Sequence, residues 1–254
     1  MSIRLTLIVP YLNSHEIVRR QLLFLERERV DQIDGLEIFY MDDGSDPPLQ
    51  KNGPSPTNLK IIPTFDTRPW TSSLARNMGA KLAKGEYLFM IDGDFIVNRK
   101  AIETAMAFDG DRLGIRRELG VLDEDGNFTQ DLAVLAKWGV PEIRLKNRGA
   151  AMPPHPNHYI IKKQIFWDLG GYDEKLILER PYPQGEDNYL KKKWCRARDA
   201  GIYKDPDPHA RPMVYMFPNG QFCGDVDANP FGLFHTLSRK SWRNPWQGNR
   251  FANG

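Results

Sequence analysis

Apolar positions in the first hundred residues switch between two periods. Residues 3–9 form an apolar run with β-branched members, the pattern of a strand buried on both faces. Residues 15–29 then place Ile17, Val18, Leu22 and Leu25 at helical spacing. Residues 36–41 and 59–63 read as further strands, separated by a Pro-, Asn- and Gly-rich loop over 46–57. Ser72 or Ser73 is suited to cap a helix running to Lys84, which Gly85 closes. Residues 86–91 make a fourth strand, and Asn98 caps a helix through Phe108. Strands alternating with helices predict an α/β fold, Rossmann-like, with a mostly parallel central sheet and helices on both faces.

Beyond residue 110 the pattern loosens. Segments 113–123 and 128–135 flank Asp-Glu-Asp-Gly at 123–126, a hairpin turn. Residues 148–156 read as a loop and 159–161 as a strand, followed by a short helix ending near Gly170-Gly171. Residues 186–200 are the next clear helix, and 238–254 are polar, aromatic and basic with little periodicity. With no repeat or interdomain linker, the expectation is one domain over 1–254. Residues 1–97 would be its nucleotide-binding half and 98–254 an irregular acceptor-side half with a C-terminal tail.

Composition narrows the classes. The chain has 254 residues, with 35 Lys+Arg against 33 Asp+Glu and a net charge of +2, so a dedicated polyanion surface and a nucleic-acid partner are not expected. Two cysteines, Cys195 and Cys223, make no disulfide framework and fit a reduced, cytoplasmic protein. No apolar run approaches the roughly 20 residues of a spanning helix, which leaves peripheral attachment or a partner as the route to a membrane. The first apolar run ends in Pro10, Tyr11 and Asn13 without a small-residue cleavage site, so it reads as a strand and not a signal peptide.

In an open parallel sheet, ligands bind beyond the carboxyl ends of the strands. Here those ends carry Pro10-Tyr11-Leu12-Asn13, Asp42-Asp43-Gly44-Ser45-Asp46 and Asp92-Gly93-Asp94. Grouped carboxylates need a cation or hydrogen-bond donors to balance them. If the chain stays extended, Asp92 and Asp94 point to one side, and hard oxygen ligands suit Mg²⁺ or Mn²⁺. A solvated Asp-Gly turn is the plainer alternative for this triplet. The EF-hand pattern is excluded, because Ile96 and Val97 fall where an oxygen ligand and Gly are required. Neither a P-loop nor a Gly-x-Gly-x-x-Gly follows the first strand, so phosphate charge would fall to a metal and to cations such as Arg76 and Lys81.

In order along the chain stand Ile8-Val9-Pro10-Tyr11-Leu12-Asn13, Asp42-Asp43-Gly44-Ser45-Asp46, Ala75-Arg76-Asn77 with Gly79, Asp92-Gly93-Asp94 and Gly185-Glu186-Asp187. Together they resemble glycosyltransferase family 2, inverting enzymes of the GT-A fold, over residues 3 to 200. The resemblance implies that Pro10, Tyr11 and Asn13 line the base and ribose of a nucleotide sugar. It implies that Asp43 accepts a hydrogen bond from uracil or ribose, that Arg76 sits near the nucleotide or diphosphate and that Asp92 sits near the ribose. Asp94 would ligate a Mn²⁺ or Mg²⁺ bridging the diphosphate, and late His235 would be a further ligand. Asp187 would be the general base, with Glu186 its neighbour in support. Asn13-Ser14-His15 departs from the Asn-Glu of many members and leaves the role of His15 open.

These parts suit transfer of a sugar from a UDP-linked donor to a hydroxyl of a glycan or other acceptor. An oxocarbenium-like transition state, a diphosphate leaving group and an acceptor proton need charge stabilisation and one base. His155 and His158 flank Pro156-Asn157 in a loop, facing acceptor or solvent. The alternatives are a metal-dependent sugar nucleotidyltransferase, which lacks its Gly-rich basic loop after the first strand, and a non-catalytic carbohydrate- or nucleotide-binding module.

Overall fold

A computed structural model describes residues 2–50, 53–66, 68, 71–140, 142, 155–175, 186–204 and 211–218, with Glu186 and Asp187 described by their backbone. Four parallel strands form the centre: β1 (Leu5–Tyr11), β2 (Leu36–Asp42), β3 (Leu59–Pro63) and β4 (Tyr87–Met90). Between and after them come α1 (His15–Arg27), α2 (Ser72–Leu82), β5 (Phe95–Ile96) and α3 (Arg99–Ala107). The second half adds β6 (Arg112–Gly114), β7 (Arg116–Leu119), β8 (Val121–Leu122), β9 (Phe128–Thr129) and α4 (Leu132–Lys137). It continues with β10 (Tyr159–Lys162), α5 (Lys163–Asp168), α6 (Glu186–Asp199) and β11 (Met213–Met216).

The main sheet runs β3-β2-β1-β4-β10-β6, with β10 antiparallel to both its neighbours. The register pairs Leu5 of β1 with Leu36 of β2 on one side and Tyr87 of β4 on the other. Alternate side chains therefore leave opposite faces. Leu5, Leu7 and Val9 pack with Ile17, Val18 and Leu25 of α1 and Ile102 of α3. Ile8 and Met90 pack with Ala75 and Ala80 of α2, Phe166 of α5 and Trp194 of α6. The expected α/β sandwich, with helices on both faces of a mostly parallel sheet, is thus the fold observed. Gly79 lets α2 sit directly on β1: a Cβ there would lie 2.9 Å from Ile8 Cγ2.

Several boundaries differ from the pattern. Thr71, not Ser72 or Ser73, precedes α2, and its hydroxyl is turned to Asp43 instead of capping the helix. The helix stops at Leu82 because Ala83 is extended. Asn98 caps α3 as expected, accepting from Ala101 N. The 123–126 turn does join a hairpin, β8 and β9. The strand expected over 128–135 ends at Thr129, since Asp131 accepts from Ala133 N and Val134 N and starts α4. The segment read as 113–123 is divided between sheets: β6 pairs β10, while β7 joins β11 and β5 in a second sheet. No described helix is long and apolar enough to cross a membrane.

Candidate active site

The ends of β1 and β2 are locked together by short polar side chains. Asn13 takes a left-handed backbone, φ 48°, which asparagine tolerates. Its N–H donates to Ser45 Oγ at 2.8 Å, and its Oδ1 accepts from Asp46 N at 2.7 Å. Asp42 Oδ1 accepts from Ser45 N at 2.8 Å. Asp42 and Ser45 therefore shape the loop that carries Asp43. Pro10 and Tyr11 are buried, and the Tyr11 ring meets His15 and Tyr40 with centroids 6.4 Å apart in each case. Burial, and after it the Asp42 carboxylate, hold the Tyr11 phenol well above its usual range. Pro10 and Tyr11 are thus packed into the end of the sheet.

Asp43 is buried, and its Oδ1 accepts from Thr71 Oγ1 at 2.6 Å. Burial pushes its carboxyl up to about 7; the Thr71 hydroxyl opposes the shift and Asp66 adds to it. The start of α2 and the end of β2 are joined through this one acid.

The end of β4 turns instead of continuing extended: Phe95 N donates to Asp92 O at 3.2 Å. Asp92 and Asp94 thus lie on a turn, and the extended arrangement expected of the triplet is not adopted. Two features force that turn against β1. A Cβ on Gly93 would stand 2.8 Å from Pro10 O and 3.2 Å from Tyr11 Cβ. Gln21 of α1 donates to Gly93 O and to Phe95 O, both at 2.8 Å. Asp94 is half-buried, its backbone carbonyl accepts from Phe217 N, and Arg117 of β7 lies within electrostatic reach of Asp94 and Asp92. Burial lowers the Arg117 guanidinium, and these two acids work against that.

Asp92 is the hub. Arg76, fully buried on α2, donates to its Oδ1. His158 Nε2 lies 2.7 Å from its Oδ2, and His155 Nδ1 lies 3.7 Å from the same oxygen. Burial opposes ionisation of Asp92, but the His158 ring, then the Arg76 cation and the hydrogen bond to His158, outweigh it and hold the carboxyl well below its usual range. Burial holds His158 below its usual value, against the pull of Asp92. Asp92 is thus held as a carboxylate between the Arg76 guanidinium and the Nε2 side of the His158 ring.

The segment around these histidines is itself latched down. His158 packs edge-on against Phe95 at 4.1 Å and beside His155 at 4.6 Å. Tyr172 OH donates to Asn157 Oδ1 at 2.9 Å and accepts from Tyr159 OH at 3.0 Å. Asn77, next to Arg76, accepts from Tyr172 N and donates to Tyr172 O and Glu174 Oε1.

The fold thus joins Arg76 directly to Asp92, sets Asp94 in the same turn, and places Asp43 near Arg76. Glu186 and Asp187 open α6. His235, Gly185, His209, residues 148–154 and the 238–254 tail lie outside the described residues. His155 and His158, left open between acceptor and solvent by the sequence, both turn to Asp92. Their one sequence signal was two histidines three residues apart beside a strand, in a stretch where Pro156 and Asn157 read as loop.

Residues 6–112 match the family model described as Glycosyl transferase family 2, so the resemblance read from the motifs is borne out over that part of the chain. No curated protein matches. Among solved structures the chain is similar to S. aureus TarS, at 16% identity and a TM-score of 0.48, covering 86% of this chain and 37% of that one. It is also similar to S. aureus TarS 1-349, at 18% identity and TM-score 0.43, covering 76% of this chain and 55% of that one. A third is S. aureus TarS 1-349 in complex with UDP, at 15% identity and TM-score 0.46, covering 86% and 62%. The chain therefore spans less than two thirds of the length of each.

Proposed function

We propose that this protein transfers a sugar, with inversion, from a nucleotide diphosphate donor to a hydroxyl acceptor, and that the donor is UDP-linked. The observation that carries the reading is the convergence of the β1, β2 and β4 ends, with Asp43, Arg76, Asp92 and Asp94, inside the stretch that matches the family model. Asp43 offers a buried acceptor to a base N–H, and Asn13 borders the same space. Arg76, held by Asp92, is the cation nearest the diphosphate.

Asp94 is a hard oxygen donor, partly exposed in a turn at the strand ends, and fits a divalent cation such as Mn²⁺ or Mg²⁺. His235 is its proposed partner ligand. Such an ion, when bound, offsets the charge developing on the leaving diphosphate. This chain's own residues then bind and orient: Asp43 reads the base, Arg76 neutralises phosphate oxygens, and Asp187 takes the acceptor proton as the new bond forms. Glu186, the neighbouring residue at the start of α6, is assigned to support of the acceptor.

A panel of nucleotide sugars with Mn²⁺, read by thermal shift and by slow donor hydrolysis, tests the reading. The expected result is one UDP-sugar ranked first in both; ligand in hundredfold excess over Kd stabilises by about 2.7 kcal/mol. Binding without hydrolysis or transfer for every donor would leave a binding module instead. Asp187→Asn keeps the volume but cannot take the proton, so transfer should fall by roughly 10²–10⁴ with donor affinity little changed. Glu186→Gln should be milder. An active Asp187→Asn beside an inactive Glu186→Gln would reverse the two roles.

A further inference from the structure

Asp92, His155 and His158 form the group of potential metal ligands found among the described residues, with one ligand atom of each lying within 4.8 Å of the others. Two of the spacings are 2.7 Å and 3.7 Å, both measured from Asp92 Oδ2. Atoms bound to one ion at about 2.1 Å stand roughly 3.0 Å apart in octahedral geometry and roughly 3.4 Å apart in tetrahedral geometry. The two spacings bracket that range, so a small opening of one contact and closing of the other would admit an ion. Asp94 does not belong to the group.

We propose that Asp92, His155 and His158 bind a borderline transition-metal ion, Zn²⁺ in preference to Mg²⁺, at a site separate from the oxygen site of Asp94. Two imidazoles and one carboxylate are the donor set of Zn²⁺ and its neighbours in the series, whereas Mg²⁺ takes oxygen and water. The carboxylate is already divided for this role. Oδ2 faces the two rings, while Oδ1 accepts from Arg76, the outer hydrogen bond that orients a ligating carboxylate. His155 keeps 33% of its side chain exposed, so an ion can enter from solvent on that side.

Three local costs keep the affinity below that of a closed structural zinc site. The His158–Asp92 hydrogen bond must open, and the ring proton must pass to Nδ1, which has no hydrogen-bond partner among the described residues. His155 Nδ1 must give up the long 3.3 Å bond from Asn157 N. The Arg76 guanidinium and the nearby Arg117 also repel a cation. Binding would fix residues 155–158 against the end of β4.

The test uses the full chain without any nucleotide, so it does not depend on the transfer reading. Calorimetry with ZnCl₂ and with MgCl₂ should show one Zn²⁺ per chain and no heat from Mg²⁺. His155→Ala, at a partly exposed position, removes a direct ligand and should weaken Zn²⁺ by more than the roughly tenfold that loss of an outer hydrogen bond costs. His158→Gln, checked for folding by circular dichroism, should do the same, and Asp94→Ala should leave Zn²⁺ binding intact. Co²⁺ in place of Zn²⁺ should give visible absorption that His155→Ala abolishes. No Zn²⁺ uptake by the wild type would overturn the site. So would uptake that survives both histidine changes, or uptake lost in Asp94→Ala but kept in His155→Ala.

Discussion

Asp43 and Asp94 show how one residue type meets different surroundings at two strand ends. Asp43 is buried and accepts a hydrogen bond from Thr71, and burial pushes its carboxyl up to about 7 from 3.8. Between those values the folded chain holds a proton that the unfolded chain has released. Its contribution favours folding below the unfolded value and is lost as pH rises through the folded one. Asp43→Asn should therefore gain stability relative to the wild type as pH goes from about 5 to about 8. Thermal melts of both proteins across that range check it, and a constant difference between them would refute the shift. His158 moves in the opposite direction but titrates in both proteins, so it cancels in the difference. Asp94 lies half-buried in the turn after β4, with Arg117 in electrostatic reach. Asp94→Ala should abolish the gain in UDP affinity that Mn²⁺ gives the wild type; equal wild-type affinity with and without the ion would remove Asp94 from that role.

The β4 end, the turn after it and α1 act as one element, held by space and by two hydrogen bonds. The carbonyls of Gly93 and Phe95 share the amide of Gln21, and Gly93 has no room for a side chain beside Pro10. Gly93→Ala must push the turn off β1, with a cost of about 1–3 kcal/mol for overpacking. Urea unfolding should report that loss, and UDP affinity should fall with it because Asp92 and Asp94 move together. A Gly93→Ala protein with unchanged stability would mean that the turn can rotate freely, contrary to the packing described. The same logic explains why Asp-Gly-Asp is not extended: a straight continuation of β4 would lose the Gln21 contacts.

Across the molecule, α2 is tied to residues 155–175 by polar side chains as well as by apolar packing. Asn77 is the central tie, with three hydrogen bonds to Tyr172 and Glu174, and Tyr172 carries the connection on to Asn157 and Tyr159. Asn77→Ala would strand the Tyr172 N–H and C=O in a buried place, at about 1–3 kcal/mol for each unsatisfied group. Denaturant midpoints should fall accordingly, and His158 should lose its fixed distance to Asp92, visible as a changed histidine titration by NMR. Stability unchanged within error would show that Asn77 is not the tie. Lys81, which pairs with Glu174 at the surface, should matter far less, since exposed ion pairs contribute little.

The linear order of residues determined the alternation of elements, the parallel sheet and the strand ends at which Asp43, Asp92 and Asp94 collect. Those features are local: periodicity, caps and turn residues act over a few positions, and family motifs are contiguous. Asn98 and the 123–126 turn were legible for that reason, as was the match over residues 6–112. Tertiary structure alone decided the partners. His158 reaches Asp92 across 66 residues, Asn77 reaches Tyr172 across 95, and Gln21 reaches Phe95 across 74. No period or spacing encodes such a meeting, because it depends on where the sheet order β1-β4-β10 brings the strand ends. The displaced start of α2 has the same origin: Thr71 is drawn to Asp43, a carboxylate 28 residues away that only the folded sheet puts within reach.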